Sequence, residues 1–138
     1  MGQEQLFSGF SDEQQKRYEE EASQLYGVET VRTSVRLWNS YSAEKKEQVK
    51  REGQAIYEGI VAQMGEGPES PAIQALMARW HQHLRYFYEP TVEILRGLGD
   101  GYNTHPDFIR NFSQLHPDLP GFLQQAIRVY CDRLEEQA

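Results

Sequence analysis

Two histidines lie inside an aromatic run at residues 78–90, ARWHQHLRYFYEP, and histidine is the side chain most often used in metal binding and proton transfer. On a helix, His81 and His83 would point about 200° apart around the axis, because one turn takes about 3.6 residues. Helical residues that share a metal ion are three or four positions apart, and the residues four positions on are Arg85 and Phe87. We therefore expect no metal site from this pair.

The remaining candidates for catalysis are equally weak. Cys131 is the only cysteine, and no histidine lies near it in sequence, so we expect a small, partly buried apolar residue rather than a nucleophile. The glycines of GLGDG at 97–101 follow no strand and precede no phosphate-binding lysine. His105 and His116 each precede a proline near a helix start, which is typical of capping or loop residues. The sequence predicts no catalytic residue, no cofactor and no enzymatic activity.

Composition narrows the class of protein. A chain of 138 residues is long enough for one domain, residues 1–138, with its own core, and aromatic residues make up 12% of it. No run of eighteen apolar residues and no signal peptide is present, so we expect no membrane contact. A single cysteine suits the reducing cytoplasm. The net charge of -7 argues against direct nucleic-acid binding by this domain.

Helical periodicity dominates the chain, and no convincing strand appears. Ser11, Ser42 and Ser70 are predicted helix caps, and Pro90 is predicted to end the helix that carries the aromatic run. The pattern predicts about seven helices, at 11–27, 28–38, 42–64, 70–89, 91–103, 105–112 and 116–138. The first is thinly apolar and must find a partner surface to be stable.

On a helical wheel, one apolar stripe runs along the aromatic helix, with His81 and His83 on its two flanks and Tyr86 toward water. For most of this stripe, packing in the core is the favoured interpretation. The stripe comprises Ile73, Leu76, Met77, Trp80, Leu84, Phe87 and Tyr88. Because tyrosine combines an apolar ring with a polar tip, the tyrosine-rich composition also suits a pocket for a large, flat ligand. The residues alone predict an all-α binding domain.

Four motifs then appear in order at close spacing: RWHQHL, GLGDGY, HPDFIRNF and HPDLPGFLQQAI, within residues 79–127. This ordered set resembles the TipAS-type antibiotic-recognition domain, the ligand-binding half of a group of MerR-family transcription activators. The resemblance extends over most of the chain. It implies an all-α, globin-like fold that binds bulky antibiotics, such as thiopeptides or albicidin, in a deep cleft. It also implies that the N-terminal helices close over the ligand as a lid.

Two features depart from that family. The winged helix-turn-helix and dimerising coiled coil of MerR regulators do not occur in this chain, so we expect either an effector domain or a free drug-sequestering protein. Contact with DNA, and a homodimer, would then belong to a full-length context. In addition, thiopeptide-binding members capture the ligand through a cysteine in the segment that corresponds to YEPTVEILRGLG, and this segment contains no cysteine. We therefore expect reversible binding.

The predicted ligand-binding residues come from three parts of the chain: the lid side, the aromatic helix and the glycine-containing helix. Aromatic rings would stack on the ligand, and His81 would offer a hydrogen bond. The set comprises Trp38, Tyr41, Met77, Trp80, His81, Leu84, Tyr88, Leu98 and Tyr102. Two alternatives stay open: a protein-interaction module with an aromatic groove, and, with less support, a haem-binding relative of the globins.

Overall fold

The computed structural model describes residues 28–137, with side chains from residue 31 onward. Over this range the chain forms six α-helices, one short 3-10 turn and no strand. The helices are α1 (Val28–Ser40), α2 (Ala43–Gln63), α3 (Pro71–Leu84), α4 (Val92–Tyr102), α5 (Pro106–Ser113) and α6 (Leu119–Gln137), and the 3-10 turn is Met64–Glu66. The predicted all-α fold is confirmed. The predicted helix at 11–27, and with it most of the predicted lid, lies outside the described residues.

The helix starts follow the capping chemistry of the sequence. Ser42, Ser70 and Thr91 each accept a hydrogen bond from the backbone N–H three residues ahead, at 3.1, 3.3 and 3.2 Å. The imidazole of His105 caps α5 in a related way, since its Nδ1 accepts from the N–H of Asp107 at 3.3 Å. These bonds satisfy backbone donors that have no partner inside a helix. The predicted capping roles of Ser42, Ser70 and His105 are confirmed.

The end of α3 differs from the prediction. The helix ends at Leu84, and residues 85–87 form turns instead of continuing to Pro90. The carbonyl of Leu84 accepts from the N–H groups of both Phe87 and Tyr88, at 2.9 and 3.1 Å, which tightens the chain into a turn. The helical stripe that was extended through Phe87 and Tyr88 was therefore wrong beyond Leu84.

The five helices from α2 through α6 share a single apolar core. Each of them contributes buried side chains, and Trp80 of α3 is only 1% exposed. The core residues are Ile56, Tyr57, Ile60, Ile73, Met77, Trp80, Leu84, Leu95, Leu98, Tyr102, Phe112, Leu119, Leu123, Ala126, Ile127 and Cys131. Burial of so many large side chains is the main stabilising contribution to the fold.

Among the described helices, α4 and α6 form the most extensive contact. At Gly99, a β-carbon would lie 3.1 Å from the Cβ of Ile127, which is tighter than an ordinary contact, so the lack of a side chain at Gly99 favours this close approach. On the exposed side of the same pair, Arg96 contacts Asp132 and Glu135, both at 2.6 Å. In helix α1, by contrast, none of the side chains at residues 31–40 belongs to the core, and Val35 is 39% exposed.

Candidate aromatic binding surface

Five rings meet where α1, the start of α2 and the end of α3 come together. We call Trp38, Tyr41, His83, Tyr86 and Phe87 the aromatic cluster. Successive ring centroids are 5.5–6.4 Å apart: Trp38–Phe87 5.6 Å, Trp38–Tyr41 6.4 Å, Tyr41–Tyr86 6.4 Å, His83–Tyr86 5.5 Å and His83–Phe87 6.0 Å. All except His83 are half-buried, so part of each ring faces solvent. Rings at this spacing attract one another and still present an apolar face to a ligand.

A hydrogen bond across the chain holds the cluster together. Tyr41 lies in the two-residue link between α1 and α2, and its hydroxyl donates to the carbonyl of Tyr86 at 2.5 Å. Tyr86 lies in the turn after α3, so this bond joins segments 45 residues apart. The N–H of Tyr41 also donates to the carbonyl of Trp38 at 3.2 Å. The early end of α3 therefore exposes a carbonyl that Tyr41 can reach.

Two lysines cover ring faces of the cluster. The ammonium of Lys45 lies 4.7 Å from the centroid of the Tyr86 ring, and that of Lys46 lies 5.6 Å from the centroid of the Trp38 ring. Both distances fall within the range of a cation–π interaction, about 6 Å. The cluster thus presents electron-rich faces on which a positive charge is stabilised.

A groove of about 450 Å³ opens beside the cluster, between α2 and α3. Ile56 and Ala78 supply its apolar surface, and His83 and Tyr86 belong to both the groove and the cluster. Its complete lining is Glu52, Ile56, Ala78, Arg79, Gln82, His83 and Tyr86. This volume lies within the range of small-molecule pockets, and the mixture of apolar surface with a few polar groups is typical of such sites.

Glu52 is the anionic group at this groove. Partial burial alone would raise the pKa of its carboxyl, but hydrogen bonding to Gln48 and Tyr86, with attraction from the positive charge of Lys45, outweighs burial and lowers the pKa. The Gln48 amide donates to the carboxylate at 3.0 Å. Both the lowered pKa and the bond from Gln48 favour the charged carboxylate at this position.

His83, a member of the aromatic cluster, forms a hydrogen bond to the backbone of α2. Its Nε2 lies 2.7 Å from the carbonyl of Val49, so this nitrogen carries the proton and donates it to the carbonyl. Burial lowers the pKa of His83, although the bond to Val49 and the charge of Glu52 act in the opposite direction. The ring is therefore a neutral spacer that ties α3 to α2.

The nine predicted ligand-binding residues lie in different surroundings. Trp38 and Tyr41 belong to the aromatic cluster, and Tyr88 is half-buried just after its turn. Five others are core side chains in this state: Met77, Trp80, Leu84, Leu98 and Tyr102. Trp80 and Tyr102 pack edge to face within the core, at 6.4 Å between centroids.

His81 faces a different part of the fold. Its Nδ1 lies 2.7 Å from the hydroxyl of Tyr130 on α6, and the two rings pack edge to face at 5.6 Å. The two histidines thus have partners on different helices, as their divergence around the axis predicts. Within residues 28–137, no group of three metal-binding side chains comes together.

The sequence analysis missed three contributors to this surface. Tyr86 was placed toward water and Phe87 on the core stripe, since both were assigned to a continuing helix. Glu52 carried no signal beyond its place on a charged helix face. Tertiary contacts, such as the bond between Tyr41 and Tyr86 and the packing of Trp38 on Phe87, bring these residues together, and helical periodicity cannot reveal such contacts.

Comparison with known proteins gives consistent matches. The family model described as "TipAS antibiotic-recognition domain" matches residues 18–130. The chain is similar to the HTH-type transcriptional activator mta of Bacillus subtilis, with 35% identity over 98% of this chain, and to the HTH-type transcriptional regulator SkgA of Caulobacter vibrioides, with 28% identity over 95%. The chain spans 54% of the length of each relative.

A solved structure shares the fold. It is the TipAS protein of Streptomyces lividans in complex with nosiheptide, from a thiopeptide antibiotic multidrug resistance system. The two superpose with a TM-score of 0.77 and 26% sequence identity, over 93% of this chain and 92% of the other. Among the described residues, no helix is long and apolar enough to cross a membrane.

Proposed function

Because the chain belongs to the TipAS antibiotic-recognition domain family, we propose that it binds a bulky, largely aromatic antibiotic or drug-like small molecule. The observation that carries the proposal is the half-buried aromatic cluster beside a groove of about 450 Å³. Rings that served only the core would be enclosed, as Trp80 is at 1% exposure. Trp38, Tyr41, Tyr86 and Phe87 instead combine mutual packing with solvent-facing surface, which suits stacking on a planar ligand.

The exposure of each side chain decides which of the proposed ligand contacts can form without opening the core. Trp38 and Tyr41 contact the ligand directly, together with Tyr86 and Phe87. The predicted contacts from Met77, Trp80, Leu84, Leu98 and Tyr102 require the core to open, since these side chains are buried in the described state. His81 would contact only a ligand that reaches the α3–α6 side, where Tyr130 now occupies it.

The proposed role is that of an effector domain. Both relatives are HTH-type regulators, so ligand binding here would be passed to a DNA-binding part of a full-length regulator in the cytoplasm. The net charge of -7 supports a division of labour in which this domain binds ligand and does not itself contact DNA. A free drug-sequestering protein would bind the ligand through the same surface, but would not pass the binding signal to a DNA-binding part.

Tryptophan fluorescence tests ligand binding and its location together. Trp38 lies in the aromatic cluster and Trp80 in the core, so the Trp38→Phe variant keeps only the core fluorophore. We expect saturable quenching of the wild-type chain on titration with nosiheptide, albicidin or a polyaromatic dye. We expect little or no quenching in the variant.

Two outcomes would count against the proposal. If none of these ligands produces saturable quenching, a drug-binding surface is contradicted. If the variant binds with unchanged affinity in isothermal titration calorimetry, the ligand site lies away from Trp38. Circular dichroism of the variant serves as the control for folding.

A further inference from the structure

The Tyr86 ring already holds a positive charge. The ammonium of Lys45 lies 4.7 Å from its centroid, and the edges of the Tyr41 and His83 rings face the same tyrosine at 6.4 and 5.5 Å. An aromatic face that already holds an ammonium, with further rings packed against that face's own ring, is suited to recognise an organic cation. Trp38 takes part in a second cation–π interaction, since the ammonium of Lys46 lies 5.6 Å from the centroid of its ring.

A fixed carboxylate completes these surroundings. Glu52 accepts a hydrogen bond from Gln48 at 3.0 Å, and it lines the same groove as Tyr86. Because the Gln48 amide is uncharged, it holds the carboxylate in place without cancelling its charge. An aromatic face and a carboxylate that line one groove attract a cation more strongly than either group alone.

The groove supplies room for the rest of a ligand. It extends from Tyr86 and Glu52 along Ile56 and Ala78, with about 450 Å³ of space. A ligand with its cationic centre at Tyr86 could therefore place an apolar body against the apolar surface of the groove.

We propose that Tyr86 and Glu52 form a subsite for the cationic centre of a bulky, lipophilic organic cation, and that Lys45 occupies this subsite until the ligand displaces it. The proposal rests on the proposed function and names the ligand class. Lys45 lies in the first turns of α2 on a flexible side chain, so its ammonium can move to water at little cost. The displaced lysine acts as an internal competitor.

Arg79 is the opposing charge at the groove. It lies on α3 and is exposed, so water screens its repulsion of a bound cation. Glu52 is half-buried and held by the Gln48 amide, which makes its attraction the stronger of the two effects.

Two ions of nearly equal shape and opposite charge test whether the subsite prefers a positive charge. Tetraphenylphosphonium and tetraphenylborate have nearly the same shape and opposite charge. In isothermal titration calorimetry, we expect the phosphonium to bind the wild-type chain and the borate to bind more weakly. We expect Lys45→Ala to bind the phosphonium about two- to fivefold more tightly, because the competitor is removed. We expect Glu52→Gln to bind it about fivefold more weakly.

Glu58→Gln is the matched control, because Glu58 is an exposed residue of the same helix and does not line the groove. Its affinity for the phosphonium should equal that of the wild type. The proposal is overturned if the borate binds as tightly as the phosphonium, if Lys45→Ala weakens binding, or if Glu52→Gln has no effect. If nosiheptide quenches Trp38 but the phosphonium does not bind, the cation subsite is wrong while drug binding stands. If neither binds, both proposals fail.

Discussion

His81 and His83 show how local surroundings decide the chemistry of one residue type. His83 is buried and donates to the Val49 carbonyl, whereas His81 is half-buried beside the hydroxyl of Tyr130. Burial is the main cause that lowers the pKa of each, and Arg85 adds to the effect at His81. Both positions therefore favour the neutral ring in the folded chain.

A prediction about pH follows from these histidines. In the unfolded chain their pKa returns to the ordinary value of 6.5. As the pH falls through this value, the unfolded chain takes up protons that the folded chain binds less readily, so the free energy of unfolding decreases. Urea denaturation at about pH 7.5 and about pH 5.5 measures this loss. The His83→Phe variant should lose less over the same interval; an equal loss would show that His83 does not contribute.

Cys131 determines how a ligand can be held. The thiol is fully buried in α6, and burial raises its pKa to about 11. Because the thiolate is the reactive form, the only cysteine of the chain is unsuited to attack a ligand. This supports the expectation of reversible binding.

Intact-mass spectrometry checks that expectation. After incubation of the native chain with nosiheptide, we expect only the unmodified mass once denaturant has released the ligand. Iodoacetamide should likewise leave the native chain unmodified and alkylate Cys131 only after unfolding, which confirms that the thiol is present and reactive. A nosiheptide adduct that survives denaturation and is lost in Cys131→Ser would contradict reversible binding.

At the scale of single helices, caps were predictable and one helix end was not. Ser42 and Ser70 were local signals in the sequence that the structure confirms. The end of α3 at Leu84 had no such signal, and the turn that follows it presents the Tyr86 carbonyl to Tyr41, 45 residues away along the chain. The same turn brings Tyr86 and Phe87 into the aromatic cluster. The part of the candidate surface that sequence analysis missed is therefore the part that a tertiary contact creates.

The pair of α4 and α6 yields a prediction about two glycines. Gly99→Ala places a methyl group 3.1 Å from the branched Ile127 side chain close to its backbone, so crowding outweighs the better helix propensity of alanine. We expect the free energy of unfolding to fall by about 1–2 kcal/mol, measured by urea denaturation. Gly101→Ala, on the same helix with no heavy atom within 4 Å, is the control and should raise it by up to about 1 kcal/mol. Equal effects at both positions would contradict the close approach.

At the scale of the whole molecule, the described helices differ in how firmly they are anchored. Helices α2 to α6 share one core, whereas none of the α1 side chains at residues 31–40 belongs to it, and Trp38 joins α1 to the aromatic cluster. Packing into a shared core makes opening of a helix costly, and a helix held by few contacts opens more readily. Helix α1, which carries the proposed ligand contact Trp38, is therefore among the less firmly anchored helices within residues 28–137.

Hydrogen exchange tests this difference in anchoring between α1 and the helices that share the core. We expect the amides of α1 to exchange faster than those of α4 and α6, because α1 can open without exposing the core. The Trp38→Ala variant should accelerate exchange further in α1 and leave α4 and α6 unchanged, since it removes the contact with Phe87. A saturating ligand that bridges Trp38 and Tyr86 should slow exchange in α1 of the wild-type chain and not in the variant. Uniform exchange across all six helices would contradict the division, and ligand protection confined to α4 and α6 would place binding away from the aromatic cluster.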